Sequence, residues 1–173
     1  MNFDTAEKML RDRFGKSILE RIDTKPDPFL VAAAATLREI AEYLRADAGF
    51  ETLSDLCGLD EPQQSRVGVS YHFFSYQHVA TLHLKVFLPR EGVAEVPSIA
   101  GVYKAANWFE REAFDMYGIH FTGHPDFRRI LMPPDWVGYP LRKDYVTPDY
   151  YNGMPVPLFF EDPGTAPPGG TQQ

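Results

Sequence analysis

The most regular pattern of hydrophobic and polar positions lies in the middle of the chain, over residues 66–76 and 81–88. In both stretches every second residue is apolar, as Val67, Val69 and Tyr71 show. A period of two places alternate side chains on opposite faces of a strand, so each stretch predicts a half-buried strand. Because only a short connection separates them, the two strands are predicted to pair as an antiparallel hairpin.

The first part of the chain predicts a helix followed by another hairpin. Apolar residues at helical spacing indicate a helix over residues 4–14, which Gly15 can end in a left-handed conformation. Residues 18–22 and 29–33 flank a turn-forming stretch at 24–27. This arrangement favours two short strands joined by a turn.

A second helix and a long strand come next. Thr36 and Glu39 have the spacing of a capping box, and the apolar positions after them lie on one helical face until Gly49. Residues 50–59 are too few for a well-formed helix between their flanking turn residues, and we interpret them as a strand.

The last helix is predicted over residues 98–117, in two pieces, with Asn107 capping a second piece that begins at Trp108. The resulting order is helix, two strands, helix, three strands, helix. This order predicts an α+β fold over residues 1–120, a two-layer domain with a mostly antiparallel sheet packed against helices.

The chain changes character after this domain, because ten of its 15 prolines lie in the last 49 residues. Proline removes backbone donors and favours extended conformations, whereas disordered segments are poor in aromatic residues. We therefore predict an extended interaction arm over residues 121–162, with aromatic side chains buried largely by a neighbouring protein, and a flexible tail over 163–173. The aromatic residues are Tyr139, Tyr145, Tyr150, Tyr151, Phe159 and Phe160.

Composition narrows the possible functions. The 173 residues carry 17 Lys and Arg against 24 Asp and Glu, a formal charge of −7, and no basic run, which argues against a nucleic-acid partner. No apolar run approaches the 18 or more residues that span a bilayer, and residues 1–7 do not resemble a signal peptide. The single cysteine, Cys57, excludes an internal disulfide and a Cys-rich metal site, and we expect it to be buried on a strand.

Three carboxylates and one cation crowd the last helix, at Glu110, Arg111, Glu112 and Asp115. Spacing alone leaves open a pair of catalytic carboxylates, but an ion-pair network is favoured. In that network Arg111 bridges acids, or Glu112 holds one of the arginines at 128–129. His120 and His124 have the spacing of a metal-binding pair, but the glycines and the proline around them break the helix that such a pair needs. Without a nucleotide-binding or nucleophile motif, the residues favour an interaction protein over an enzyme.

The same region resembles a known family. The runs that carry the resemblance are Glu110-Arg111-Glu112, Asp115-Met116-Tyr117-Gly118-Ile119, Gly123-His124-Pro125, Arg128-Arg129-Ile130-Leu131 and Gly138-Tyr139-Pro140-Leu141-Arg142-Lys143-Asp144-Tyr145. They look like the signature of the C-type subunit of the proton-translocating NADH:quinone oxidoreductase, the 30 kDa subunit family of respiratory complex I. The resemblance covers about residues 10–150, with Tyr117 and Lys104 departing from the commoner family residues.

This resemblance implies a non-catalytic structural subunit of the peripheral arm, on the cytoplasmic side of the bacterial inner membrane. It implies no cofactor in this chain, with FMN and iron–sulfur clusters in other subunits of the complex. The implied partners are chiefly the D-type subunit and also the B-type and I-type subunits, with membrane association only through the complex. The signature residues are then structural or interface anchors rather than catalysts. They are Glu110, Arg111, Glu112, Asp115, His124, Arg128, Arg129, Arg142, Lys143 and Asp144.

Two alternatives stay open from sequence. One is the equivalent subunit of a membrane-bound hydrogenase or of a related dehydrogenase complex, because other subunits select the electron donor. The other is a free-standing hydrolase that uses the carboxylates of Glu112 and Asp115.

Overall fold

A five-stranded sheet forms the centre of the protein, in a computed structural model that describes residues 2–25 and 27–156. Its strand order is β1-β2-β5-β4-β3, and all neighbours are antiparallel except the parallel pair β2 and β5. The strands are β1 Ile18–Ile22, β2 Phe29–Ala32, β3 Thr52–Glu61, β4 Arg66–Ser75 and β5 Ala80–Pro89. The helices are α1 Phe3–Phe14, α2 Leu37–Ala46 and α3 Ala106–Tyr117.

One face of the sheet packs against the helices. Tyr71 in β4 lies between Leu56 and Leu84 in the register, and buried side chains of all three helices belong to the same core cluster as these residues. The opposite face is less completely covered, and its half-buried side chains include His72 and His83, whose rings stack across the β4–β5 pair at 4.1 Å. The strand period of two therefore separates a covered face from an open one.

The predicted mixed fold, with a mostly antiparallel sheet packed against helices, is confirmed. Two short strands were not predicted, β6 Glu95–Pro97 and β7 His120–Thr122, which pair in parallel. This pairing joins the segment before α3 to the segment after it, so both ends of the helix are fixed beside the core. In the part of the chain that the structure describes, no helix is both long and apolar enough to cross a membrane.

The predicted start of α2 after Thr36 is correct, but the predicted cap at Thr36 and the predicted start of the last helix are wrong. Thr36 ends a 3₁₀ turn, Ala34–Thr36, and its hydroxyl donates to the carbonyl of Ala33 at 3.2 Å instead of capping α2. The last helix begins at Ala106 without a side-chain cap, so Asn107 lies inside the first turn. Residues 98–105 form turns and irregular chain instead of a first helical piece, and the Tyr103 hydroxyl there donates to the carbonyl of Phe50 at 2.7 Å.

The prediction that Cys57 is buried is also wrong. Cys57 lies on β3, in register with Ser70 on β4, and is exposed. Its neighbour Gly58 points to the covered face, where a Cβ would overlap the ring of Tyr117 at the end of α3. This small residue lets α3 approach β3 closely.

The segment that follows β7 is irregular but not detached. Over residues 123–156, which we call the C-terminal segment, the described strands are β8 Tyr150–Tyr151 and β9 Met154–Pro155. Trp136 donates its indole N–H to the Tyr145 hydroxyl at 2.9 Å, and its ring lies 5.1 Å from that of Tyr151. Some of the aromatic surface of the predicted arm is therefore covered by the chain itself. The boundaries 121–162 and 163–173 stay predictions, and residues 157–173 lie outside the described part.

Gly118 is the point at which the chain turns from α3, and its substitution has a clear expected result. Its φ is +73°, and a Cβ there would overlap the ring of Tyr139. Gly123 also has a positive φ, +79°, but nothing lies near its Cβ position. We expect Gly118→Ala to lower the free energy of unfolding by about 1 kcal/mol more than Gly123→Ala, because only the first displaces a packed ring. Denaturant unfolding of both variants measures this difference, and equal losses would mean that Tyr139 moves freely.

Candidate functional site at the junction of α3 and the C-terminal segment

The carboxylate of Asp115, on α3, holds the start of the C-terminal segment. Its side chain is inaccessible to solvent. Its Oδ2 accepts the backbone N–H groups of three successive residues at 2.7–3.0 Å, namely Ile130, Leu131 and Met132. Its Oδ1 accepts from the guanidinium of Arg129 at 2.6 Å. One carboxylate thus replaces the hydrogen bonds that an irregular segment does not make with itself.

Arg129 completes this arrangement by bonding two further backbone oxygens. It donates to the Asp115 carbonyl at 3.1 Å and to the Gly138 carbonyl at 3.0 Å. Burial opposes ionisation of Asp115, but the N–H of Met132 and the Arg129 guanidinium outweigh it, so the pKa of Asp115 lies below its ordinary value. The carboxylate is ionised at neutral pH and fully used as an acceptor.

Arg111, which is also buried, contacts the segment from the same helix. Its Nε donates to the carbonyl of Arg128 at 3.1 Å, and its Nη1 lies 3.4 Å from Oδ2 of Asp126. Its guanidinium also lies 5.1 Å from the centre of the Trp108 ring. Glu112 is exposed and has no ion-pair partner among the described residues. The prediction that Glu112 holds an arginine is therefore wrong. The carboxylate that binds Arg129 is that of Asp115.

Glu110 is a second fully buried carboxyl on α3. Its Oε2 lies 2.6 Å from the hydroxyl of Ser98, and its Oε1 accepts the backbone N–H of Ile99 at 2.7 Å. Burial raises the pKa of Glu110 to about 7, although both hydrogen bonds act to lower it. Unlike Asp115, this carboxyl has no guanidinium within ion-pair distance over residues 2–25 and 27–156.

His124 lies against Glu110, with 3.9 Å between Nε2 and Oε2 and neither side chain accessible. Its Nδ1 accepts the backbone N–H of Asp126 at 3.0 Å, so the ring proton is on Nε2, which lies 3.0 Å from the carbonyl of Asn107. His120, four residues earlier, instead packs its ring against Phe127 at 4.5 Å. In the described part of the chain, no three His, Cys, Asp or Glu residues are grouped to hold a metal ion.

A second anchor holds the C-terminal segment to the sheet. The inaccessible carboxylate of Asp60 on β3 accepts from Arg90 through two nitrogens, at 2.8 and 3.1 Å, and from the backbone N–H of Lys143 at 2.7 Å. Arg90 also bonds Asp144 at 2.7 Å. The bonds from Arg90 lower the pKa of Asp60. Asp60 and Arg90 were not predicted, because no local pattern marks two residues that lie 30 positions apart.

Arg142 adds a further contact between the C-terminal segment and the end of α3. Its Nε donates to the carbonyl of Tyr117 at 2.6 Å, and its guanidinium lies 5.0 Å from the ring centre of Tyr139. The predicted residues therefore divide into those that anchor backbone and those that lie at the surface. The anchoring residues are Glu110, Arg111, Asp115, His124, Arg129 and Arg142. The surface residues are Glu112, Arg128, Lys143 and Asp144, of which Asp144 bonds the Arg90 side chain.

The fold and the site together define a one-sided sheet domain that uses buried carboxylates to hold an irregular segment on its surface. Residues 30–151 match the family described as the respiratory-chain NADH dehydrogenase 30 kDa subunit. The chain therefore belongs to this family, and the resemblance in the signature runs is confirmed.

Individual relatives agree with this assignment. The chain is 40% identical over 158 residues to the C-type subunit of NADH-quinone oxidoreductase from Chloroherpeton thalassium, covering 89% of this chain and 65% of the relative. It is 45% identical over 130 residues to the J-type subunit of NAD(P)H-quinone oxidoreductase from a Synechococcus species, covering 70% and 71%. Some relatives thus extend well beyond the matched part.

Two solved structures share the fold. The trypsin-resistant fragment (1–134) of Nqo5 superposes with a TM-score of 0.61 and 27% identity, covering 70% of this chain and 98% of the fragment. A chain of the membrane-bound sulfane sulfur reductase, an archaeal respiratory membrane complex, superposes with a TM-score of 0.64, covering 83% of this chain and 84% of that one. Its 20% identity shows a common fold only.

Proposed function

We propose that the protein is a non-catalytic structural subunit of the peripheral arm of NADH:quinone oxidoreductase, on the cytoplasmic side of the bacterial inner membrane. The complex transfers electrons from NADH to quinone and couples this to proton translocation. This chain contributes no flavin, cluster or quinone ligand and docks chiefly on the D-type subunit, with further contacts to the B-type and I-type subunits. Membership in the 30 kDa subunit family supports the assignment of the chain to this complex. The carboxylates of α3, which bind the chain's own backbone, support the structural role.

Exposed apolar side chains on α3 and on the anchored segment carry the docking proposal. Trp108 on α3 is 62% exposed, and Leu131 and Val137 on the segment are 58% and 84% exposed. The backbone of Leu131 is held by Asp115. Exposed apolar side chains on a fixed backbone lose little conformational entropy on binding, so they suit a permanent interface.

Arg142 and Lys143 have different roles in this interface. Arg142 bonds the end of α3 and orders the segment. Lys143 has its backbone held by Asp60, whereas its side chain is exposed and has no carboxylate within ion-pair distance among the described residues. We infer that Lys143 faces an acidic group of the partner.

Charge reversal at Lys143 tests the docking proposal. We expect Lys143→Glu to weaken capture of the subunit by the complex about tenfold at low salt without a loss of folding stability, since a surface charge acts on association. Arg142→Ala combined with Lys143→Ala should release the subunit and reduce quinone reduction, because it also frees the segment. Co-purification from native membranes with partner mass spectrometry measures both results.

Lys8→Glu is the matched control, because Lys8 is an exposed lysine on α1. If Lys143→Glu and Lys8→Glu co-purify like the unmodified subunit, the interface does not include Lys143. If tagged chain captures hydrogenase subunits instead, the electron donor in the proposal is wrong.

The free-standing hydrolase has less support. Its two carboxylates differ completely in environment, with Glu112 exposed and Asp115 inaccessible and occupied by four donors. A general acid–base pair needs both groups within reach of one substrate. The purified chain is therefore not expected to hydrolyse glycosides.

A further inference from the structure

Glu110 and His124 form a buried pair whose hydrogen bonds depend on the proton of Glu110. We propose that Glu110 keeps its proton in the folded subunit at mildly acidic pH and releases it near neutral pH, and that loss of this proton loosens the turn at His124–Asp126, at the start of the C-terminal segment. The pair is a proton-linked device within this chain, whatever complex the chain joins.

No compensating cation lies around Glu110 in the described part of the chain. Its carboxyl is hydrogen-bonded to the Ser98 hydroxyl and the Ile99 N–H, which are both neutral groups. No arginine or lysine lies within ion-pair distance of it among the residues that the structure describes. Arg111, the next residue on α3, is directed to Asp126 and the Arg128 carbonyl. An ionised carboxylate without a paired charge is unstable in a buried site, so the neutral acid is favoured.

Two titratable groups face Glu110 from the elements around it. From β4 comes Tyr71, whose fully buried hydroxyl has no hydrogen-bond partner among the described residues and whose pKa is raised by burial and by the charge of Glu110. From the chain after β7 comes His124. Neither supplies a positive charge in the described arrangement, since Nδ1 of His124 accepts a backbone N–H. The raised pKa of Glu110 agrees with this geometry.

Two oxygen atoms compete for the Nε2 proton of His124. That proton now points to the Asn107 carbonyl at 3.0 Å, with Glu110 Oε2 at 3.9 Å. When Glu110 releases its proton to solvent, the carboxylate becomes the stronger acceptor, because charge-assisted bonds are roughly twice as strong as neutral ones. Shortening the contact to hydrogen-bond distance moves the ring by about 1 Å.

That movement has a cost at the other ring nitrogen. Nδ1 is the acceptor for the Asp126 N–H at 3.0 Å, and a ring drawn toward Glu110 moves away from it. Asp126 also lies 3.4 Å from Arg111. Ionisation of Glu110 therefore weakens the first contacts of the C-terminal segment, before the Asp115 anchor.

The experiment titrates the full-length chain labelled with carbon-13 at the glutamate carboxyl groups, using Glu110→Gln to assign the resonance. We expect the Glu110 carboxyl to titrate with a midpoint near 7 rather than the ordinary 4.5. Hydrogen exchange at the Asp126 amide, divided by its intrinsic rate, should lose about tenfold of its protection between about pH 6 and about pH 8.

The variants decide between this device and a merely structural carboxyl. Glutamine keeps an acceptor and a donor in place of the neutral acid, so Glu110→Gln should make Asp126 protection independent of pH. Glu112→Gln, an exposed change on the same helix, should leave the pH dependence unchanged. A midpoint near 4.5, or constant Asp126 protection in the unmodified chain, would overturn the proposal. If Glu110→Gln does not fold, the unmodified chain still tests the proposal. The Glu110 carboxyl titration and the loss of Asp126 protection should then have the same midpoint, and different midpoints would overturn the proposal.

Discussion

Replacing Asp115 with alanine is expected to lower the free energy of unfolding by about 3 to 5 kcal/mol, the usual result of breaking a buried ion pair from one side. The substitution leaves the guanidinium of Arg129 and three backbone N–H groups without their acceptor. Asp115→Asn keeps one acceptor oxygen but loses the charge, so an intermediate loss is expected. Urea unfolding followed by circular dichroism measures all three proteins.

Glu112→Ala provides the control for Asp115→Ala, because it removes an exposed carboxylate from the same helix. Its effect should stay within about 0.5 kcal/mol. Similar effects of the two substitutions would show that the Asp115 bonds contribute little to stability. Exchange of the amides at 130–132 localises the change, since these are the donors to Asp115.

The same carboxylate predicts the sign of a pH effect. The pKa of Asp115 is lower in the folded chain than its ordinary value of 3.8, because the hydrogen bonds that favour the charged form outweigh burial. Its contribution to stability is therefore present above the unfolded value and is lost as the pH falls through the folded value. The stability difference between the unmodified chain and Asp115→Asn should shrink in acid and remain constant near neutral pH.

The sequence predicts the local elements well because local periodicity determines them. The β4–β5 hairpin follows from one apolar residue in two, and the structure gives ten consecutive register pairs there, from Arg66↔Pro89 to Ser75↔Ala80. Helix starts are less predictable. Thr36 and Asn107 both have the right residue type for a cap, but only Thr36 directly precedes a helix, and neither side chain caps one.

In the candidate site, too, residues in one sequence region were predicted and contacts between distant positions were not. Arg129 and Asp115 lie within one signature region, and sequence reasoning named both, although it paired the arginine with Glu112. The parallel pair of β6 and β7 and the bond between Arg90 and Asp144, 54 positions apart, depend on the folded topology. No local pattern indicates such contacts, and one sequence without relatives to compare cannot reveal them.

Replacing Asp60 with alanine is the second substitution with a large expected effect. It should lower the free energy of unfolding by about 2 to 4 kcal/mol, since the inaccessible Asp60 carboxylate accepts two nitrogens of Arg90 and the backbone of Lys143. Asp144 remains as a partner of Arg90, which limits the loss. Because Lys143 then loses its fixed backbone, the subunit should also fail to co-purify with the complex.

Asp55→Ala separates the Asp60 anchor from a general weakening of β3. Asp55 lies on the same strand, in register with His72 on the open face, whereas Asp60 is in register with the buried Val67. Limited proteolysis should cut residues 141–146 faster in Asp60→Ala and leave Asp55→Ala unchanged, because only Asp60 holds that stretch to the sheet. Equal cleavage of the two variants would show that Arg142 and the Asp115 anchor suffice. In that case, docking of the segment would depend on α3 rather than on the sheet.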